Sequence, residues 1–135
     1  MVTFICFRVY LRTREQRVAF FDTRIVRVTE SLMFAENLYR KLGGLPEATV
    51  VVRVVHDGLN KRQLASASPN RLVFARTTLE NASSCEIEAT LGTMKETRVD
   101  NVKALLAPLF MLFDFHEFQY GVYEEIVRRF ERGQT

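Results

Sequence analysis

From Met1 to Arg12, hydrophobic and polar positions alternate with a period of two. Ile5, Phe7, Val9 and Leu11 fall on one side, Cys6, Arg8, Tyr10 and Arg12 on the other. That period places the first set on one face of a β-strand. The spacing then changes to threes and fours. Ile25, Val28, Leu32, Ala35, Tyr39 and Leu42 form a heptad seam, which predicts a helix from Asp22 or Thr23 to about Leu42. Asp22 or Thr23 can accept from a first-turn amide. Arg40 and Lys41 suit the negative end of the helix dipole, and Gly43-Gly44 stops it.

Thr49 to Val55 is β-branched nearly throughout, which predicts a central strand apolar on both faces. Arg53 interrupts it and requires a carboxylate or a route to solvent. Asp57-Gly58 is a turn signal, and Leu59 to Asn70 reads as a loop. Arg71 to Thr78 is a strand candidate. Ser84 to Thr90 alternates, with Cys85, Ile87 and Ala89 inward and Glu86 and Glu88 outward, where Arg76 is a candidate neighbour.

Val99 to Phe115 is apolar around most of a helical circumference. Such a helix must be covered nearly all round, so the other elements are expected to pack on it. Thr97 can cap it, and Pro108 predicts a kink or break near Ala104 to Ala107. A last amphipathic helix runs from Tyr120 to Arg132, acidic early and basic late. The order β-α-β-β-β-α-α reads as an α+β sandwich. Its sheet is expected to be four-stranded and mostly antiparallel, covered by three helices. Residues 1–135 read as a single domain, standing alone or cut from a longer protein.

Composition changes this picture little. Hydrophobic residues make up 47% and charged residues 26% of the 135, ordinary globular values. No apolar run reaches the roughly 18 residues of a membrane helix. Arg8 and Arg12 interrupt any signal-peptide pattern, so a cytoplasmic location is expected. Cys6 and Cys85 read as two buried free thiols. With two histidines at unrelated spacings they form no zinc ligand set, and no cofactor is expected.

Charge is more telling. Arg8, Arg12, Arg14, Arg17, Arg24 and Arg27 are opposed near the N-terminus only by Glu15 and Asp22. Arginine's planar fork binds carboxylate or phosphate in two-point fashion. Arg8, Arg12, Arg24 and Arg27, with Lys61 and Arg62 of the basic loop, are therefore candidate anion or nucleic-acid contacts. Phe4, Phe7 and Tyr10 beside Arg8 and Arg12 are candidates for base stacking. A solvated basic surface is the competing reading.

No catalytic constellation emerges. General-base work by His56-Asp57 needs a nucleophile or water within reach, and nearby Ser66 and Ser68 lack a nucleophile elbow. Asp114, His116 and Glu117 lack a metal-ligand spacing, and Gly43-Gly44 lacks the Lys and Ser/Thr of a phosphate loop. An interaction role is left as the leading expectation, with an enzyme last. Leu105, Leu112, Tyr123 and Phe130, on the two apolar C-terminal helices, are the expected partner surface for self-association or for another domain.

Gly58-Leu59-x-x-Arg62-x-Leu64, followed by Leu109-Phe110-x-Leu112-Phe113-Asp114 before a closing helix, resembles the region downstream of the Schlafen-type, AlbA-like DNA- or ATP-binding module of bacterial proteins. The resemblance covers about residues 20–130. That module is itself absent, and the motifs transfer no catalytic residue. The resemblance implies an accessory domain of a larger protein in a nucleic-acid-related or defence-related setting.

Overall fold

The structure, a computed structural model, describes residues 2–11, 17–114 and 116–134. Among these residues five strands and three α-helices follow in order: β1 (Val2–Tyr10), β2 (Val18–Phe20), α1 (Phe21–Lys41), β3 (Thr49–Asp57), β4 (Gln63–Ala65), β5 (Ala82–Thr90), α2 (Arg98–Met111) and α3 (Tyr120–Glu131). The α+β class holds, but the predicted four-stranded antiparallel sheet does not. A three-stranded mixed sheet has the order β1-β3-β5, and β2 and β4 form a separate parallel pair.

Connection chemistry explains the difference. β1 and β3 are joined through the 21-residue helix α1, and a crossover of that length returns the chain parallel to its start. Ile5 sits opposite Val52 and Phe7 opposite Val54. β5 then pairs antiparallel with β3, with Ile87 opposite Val52. Thr49 to Val55 is thus central, as its composition predicts. The expected strand at Arg71 to Thr78 is a single bridge between Thr77 and Gln63. Leu72 and Phe74 there are exposed, while Val73 between them packs against the core.

One face of the three-stranded sheet is covered. Val50, Val52 and Val54 of β3 point into the core with Ile25, Val28 and Leu32 of α1 and Val102, Leu106 and Leu109 of α2. Among the described residues no helix covers the opposite face, so the expected burial on both sides of β3 holds there only in part: Val51 is buried, but Arg53 is exposed. Arg53 finds its route to solvent there and donates to the Ser84 hydroxyl at 3.0 Å. Its register partner is Glu86; Arg76 instead reaches Asp114, at 3.5 Å.

Helix α2 continues through Pro108 to Met111 without the expected break. Proline has no N–H to give the carbonyl one turn back. That carbonyl, of Ala104, accepts instead from the Cys85 thiol at 3.2 Å. Burial, the largest influence, pushes the Cys85 thiol pKa up, which keeps it protonated and able to donate. Cys6, expected to be buried, is exposed on the bare sheet face; both thiols are free.

Arg98 joins the three helices. It lies buried between Glu36 of α1, at 2.7 Å, and Glu131 of α3. Arg40 at 3.1 Å and Arg128 at 2.7 Å complete an alternating chain of charges. Burial pushes the Glu131 carboxyl up, but bonds and charges from Arg128 and Arg98 outweigh it and hold its pKa low. Among the described residues no helix is long and apolar enough to cross a membrane.

Candidate functional site

Of the candidate basic residues the structure brings Arg24, Arg27 and Arg62 close enough for the charges of the last two to act on Arg24, but it does not gather Arg8 with them. Arg8 stands on the bare sheet face, ion-paired with Asp57 at 3.0 Å. Arg27 is turned along α1 to Glu30 at 2.9 Å. Arg12 lies outside the described residues. Lys61 is exposed in a left-handed turn, φ 62°. Arg62 is buried and serves the fold: it donates to the carbonyls of Gly58 at 2.6 Å, Leu11 at 2.6 Å and Val18 at 3.1 Å. Arg24 is half-buried, and its Nη1 has no acceptor among the described residues. Burial foremost, then the charges of Arg27 and Arg62, lower its pKa.

The turn motif Gly58-Leu59-x-x-Arg62-x-Leu64 has a structural account in the same clamp. Gly58 adopts φ +79°, and a Cβ there would meet the Leu11 carbonyl oxygen at 2.8 Å. Leu59 and Leu64 are core residues on either side of Arg62.

His56 and Asp57 point to opposite faces of β3 and share no chemistry. Asp57 holds Arg8 outside. His56 is 2% exposed inside the core, and its Nε2 has no partner among the described residues. Burial, then the charge of Arg24, pushes its pKa down to about 4. His116 is likewise lowered by burial and by Arg76, and packs edge-on against Phe118. Among the described residues no group of His, Cys, Asp or Glu is arranged to hold a metal.

Two of the four residues expected on a partner surface are core residues. Leu105 and Tyr123 are buried, while Leu112 and Phe130 are half-buried. The apolar breadth of α2 is used up by β5, α1 and α3, which pack around it. Phe130 lines an open groove of about 620 Å³ between α1, the 67–71 loop and α3. Its polar groups are largely committed. Asp22 accepts from the Ser66 hydroxyl at 2.7 Å and from the Ala67 and Ser68 amides. Arg71 lies 3.0 Å from Glu125 and 3.8 Å from Asp22.

A different surface is left unsatisfied. On β1, Val2, Phe4 and Tyr10 are 70%, 54% and 65% exposed. They share the bare face with Cys6 and Arg8, because the strand's other positions face α1. Among the described residues nothing pairs with the outer edge of β1. The bare face carries Arg8 and Arg53 against Asp57, Glu86 and Glu88, a charge balance poorly suited to phosphate. The period-two reading had the signal for this surface: Phe4 and Tyr10 occupy polar-side positions, where an isolated domain has little use for aromatics. Comparison with known protein families, curated proteins and solved structures finds no match.

Proposed function

We propose that this chain is a non-catalytic protein-interaction domain that docks its partner along β1. The carrying observation is the coincidence of three exposed apolar side chains with an unpaired strand edge on the same element. Exposed apolar groups and unpaired amides on an edge strand are what a partner strand or apolar surface satisfies. In the setting implied by the resemblance, the domain is an accessory to a larger protein. Arg24, Arg27 and Arg62 lie near one another, but Arg27 is ion-paired and Arg62 holds backbone carbonyls, and Arg8 is ion-paired elsewhere, which favours docking over a nucleic-acid role.

Replacing both aromatics, Phe4→Lys with Tyr10→Lys, should leave folding intact, since solvent-face substitutions usually change stability by only about 0.5 kcal/mol. Quantitative affinity capture with wild-type chain should retain binding partners, further copies of the chain included, that the double variant loses. An unchanged set of retained proteins, with circular dichroism showing both chains folded, would overturn the reading.

A further inference from the structure

We infer that the partner is a second copy of this chain, joined by antiparallel pairing of β1 with β1 about a two-fold axis at Cys6. This identification rests on the reading of β1 as the docking element and goes beyond it by fixing partner and register.

Backbone geometry decides which groups are available. In a strand the N–H and C=O of one residue point to the same side, and those of the next residue point to the other. The Leu11 amide donates to the Asp57 carbonyl of β3 at 3.0 Å, so odd-numbered residues face β3. The Phe4 carbonyl points the other way, where the Tyr39 hydroxyl of α1 reaches it at 3.4 Å. Val2, Phe4, Cys6, Arg8 and Tyr10 therefore direct their backbone groups to the open edge. The Tyr39 contact is long and exposed, and a partner amide readily replaces it.

Identical strands pairing antiparallel through these positions must match an even residue with an even residue. The register centred on Cys6 pairs all nine residues of β1 with their copies. It sets Cys6 opposite Cys6, Phe4 opposite Arg8 and Val2 opposite Tyr10 on the bare face. An aromatic then meets an arginine and a β-branched side chain meets an aromatic, both favourable cross-strand pairs. A register centred on Arg8 would oppose like charges. On the covered face the same register sets Ile5 opposite Phe7.

Among the described residues the edge also carries few of the usual protections. β1 holds no proline and no lysine, its pairing with β3 runs without a bulge, and Arg8 is its sole charged residue. On the covered side of the sheet, Phe34 of α1 is 55% exposed and stands edge-on to Phe7 at 6.3 Å. Pairing extends each three-stranded sheet into one of six strands and brings the Phe34 side chains to the same seam. A two-fold interface of this kind needs a surface complementary to itself, and β1 has one.

The test uses the full chain. Sedimentation equilibrium should show a 15.7 kDa monomer converting to a dimer as concentration rises, with Phe4→Lys weakening dimerisation at least tenfold. Opposed residues with inter-strand backbone bonds have Cα atoms about 5.5 Å apart, within disulfide range. Diamide should therefore oxidise two Cys6 thiols to one Sγ–Sγ bond, its own N=N bond taking up the two electrons and two protons. Cys85→Ser should leave this cross-link intact and Cys6→Ser should abolish it while dimerisation persists. A monomer at all concentrations, or a dimer unaffected by Phe4→Lys and not cross-linked through Cys6, would overturn the inference. If such a monomer still captures other proteins through Phe4 and Tyr10, the second copy is overturned and the docking surface stands. Loss of both results removes the surface as well.

Discussion

At His56 a buried titratable ring has no partner for its Nε2 among the described residues. Its pKa is pushed down to about 4 by burial and then by Arg24, against about 6.5 in an unfolded chain. The native ring is therefore neutral, and the unfolded chain takes up the proton first as pH falls. Stability from this site is whole above pH 6.5 and is lost between pH 6.5 and 4, by roughly 3 kcal/mol in total. His56→Leu should remove that portion of the pH dependence, leaving the part due to His116 and the carboxylates. Denaturant unfolding of both proteins across this range checks it; parallel stability curves would contradict the burial of a neutral ring. That His56 and Asp57 face opposite ways was not read from the sequence, because the strand was expected to end at Val55, whereas β3 runs on to Asp57. Nor was the duty of Arg62, since its acceptors at Leu11 and Val18 lie 51 and 44 residues away in sequence.

Among elements, the helices were the most legible because their periodicity is local. α1 and α3 match their predicted spans within about two residues, the ordinary uncertainty of helix ends. Their mutual attachment was not legible. Arg98 reads as one more charge after Thr97, yet it lies buried between Glu36 and Glu131, with side-chain exposures of 7%, 8% and 16%. Removing one partner from such a set strands a buried charge, at about 3–5 kcal/mol. Arg98→Met should therefore lower unfolding free energy by about that amount. Replacing Glu36, Arg98 and Glu131 together by apolar residues of similar size should recover most of the loss. Equilibrium unfolding in urea measures both. A loss below about 1 kcal/mol for the single variant, typical of an exposed pair, would show that the network is solvated. The break expected at Pro108 failed for a related reason: the donor that stands in for its missing amide, Cys85, comes from β5.

For the whole molecule, the α+β class and the central place of β3 followed from composition and period. Strand direction did not, because pairing between β1 and β3 depends on where α1 returns the chain, and the strand expected from Leu72-Val73-Phe74 is reduced to one bridge. The same two-layer arrangement leaves one sheet face uncovered and puts β1 at its margin. The central claim, that β1 is the docking element and takes a second copy, is tested most directly by residue-resolved amide exchange over a concentration series. In dilute solution the amides of Ile5, Phe7 and Val9, which face β3, should be protected, and those of Phe4, Cys6, Arg8 and Tyr10 should exchange quickly. At concentrations where the dimer forms, the second set should become protected in step with the dimer population. Exchange at Phe4, Cys6, Arg8 and Tyr10 that stays fast at every concentration would contradict pairing at this edge.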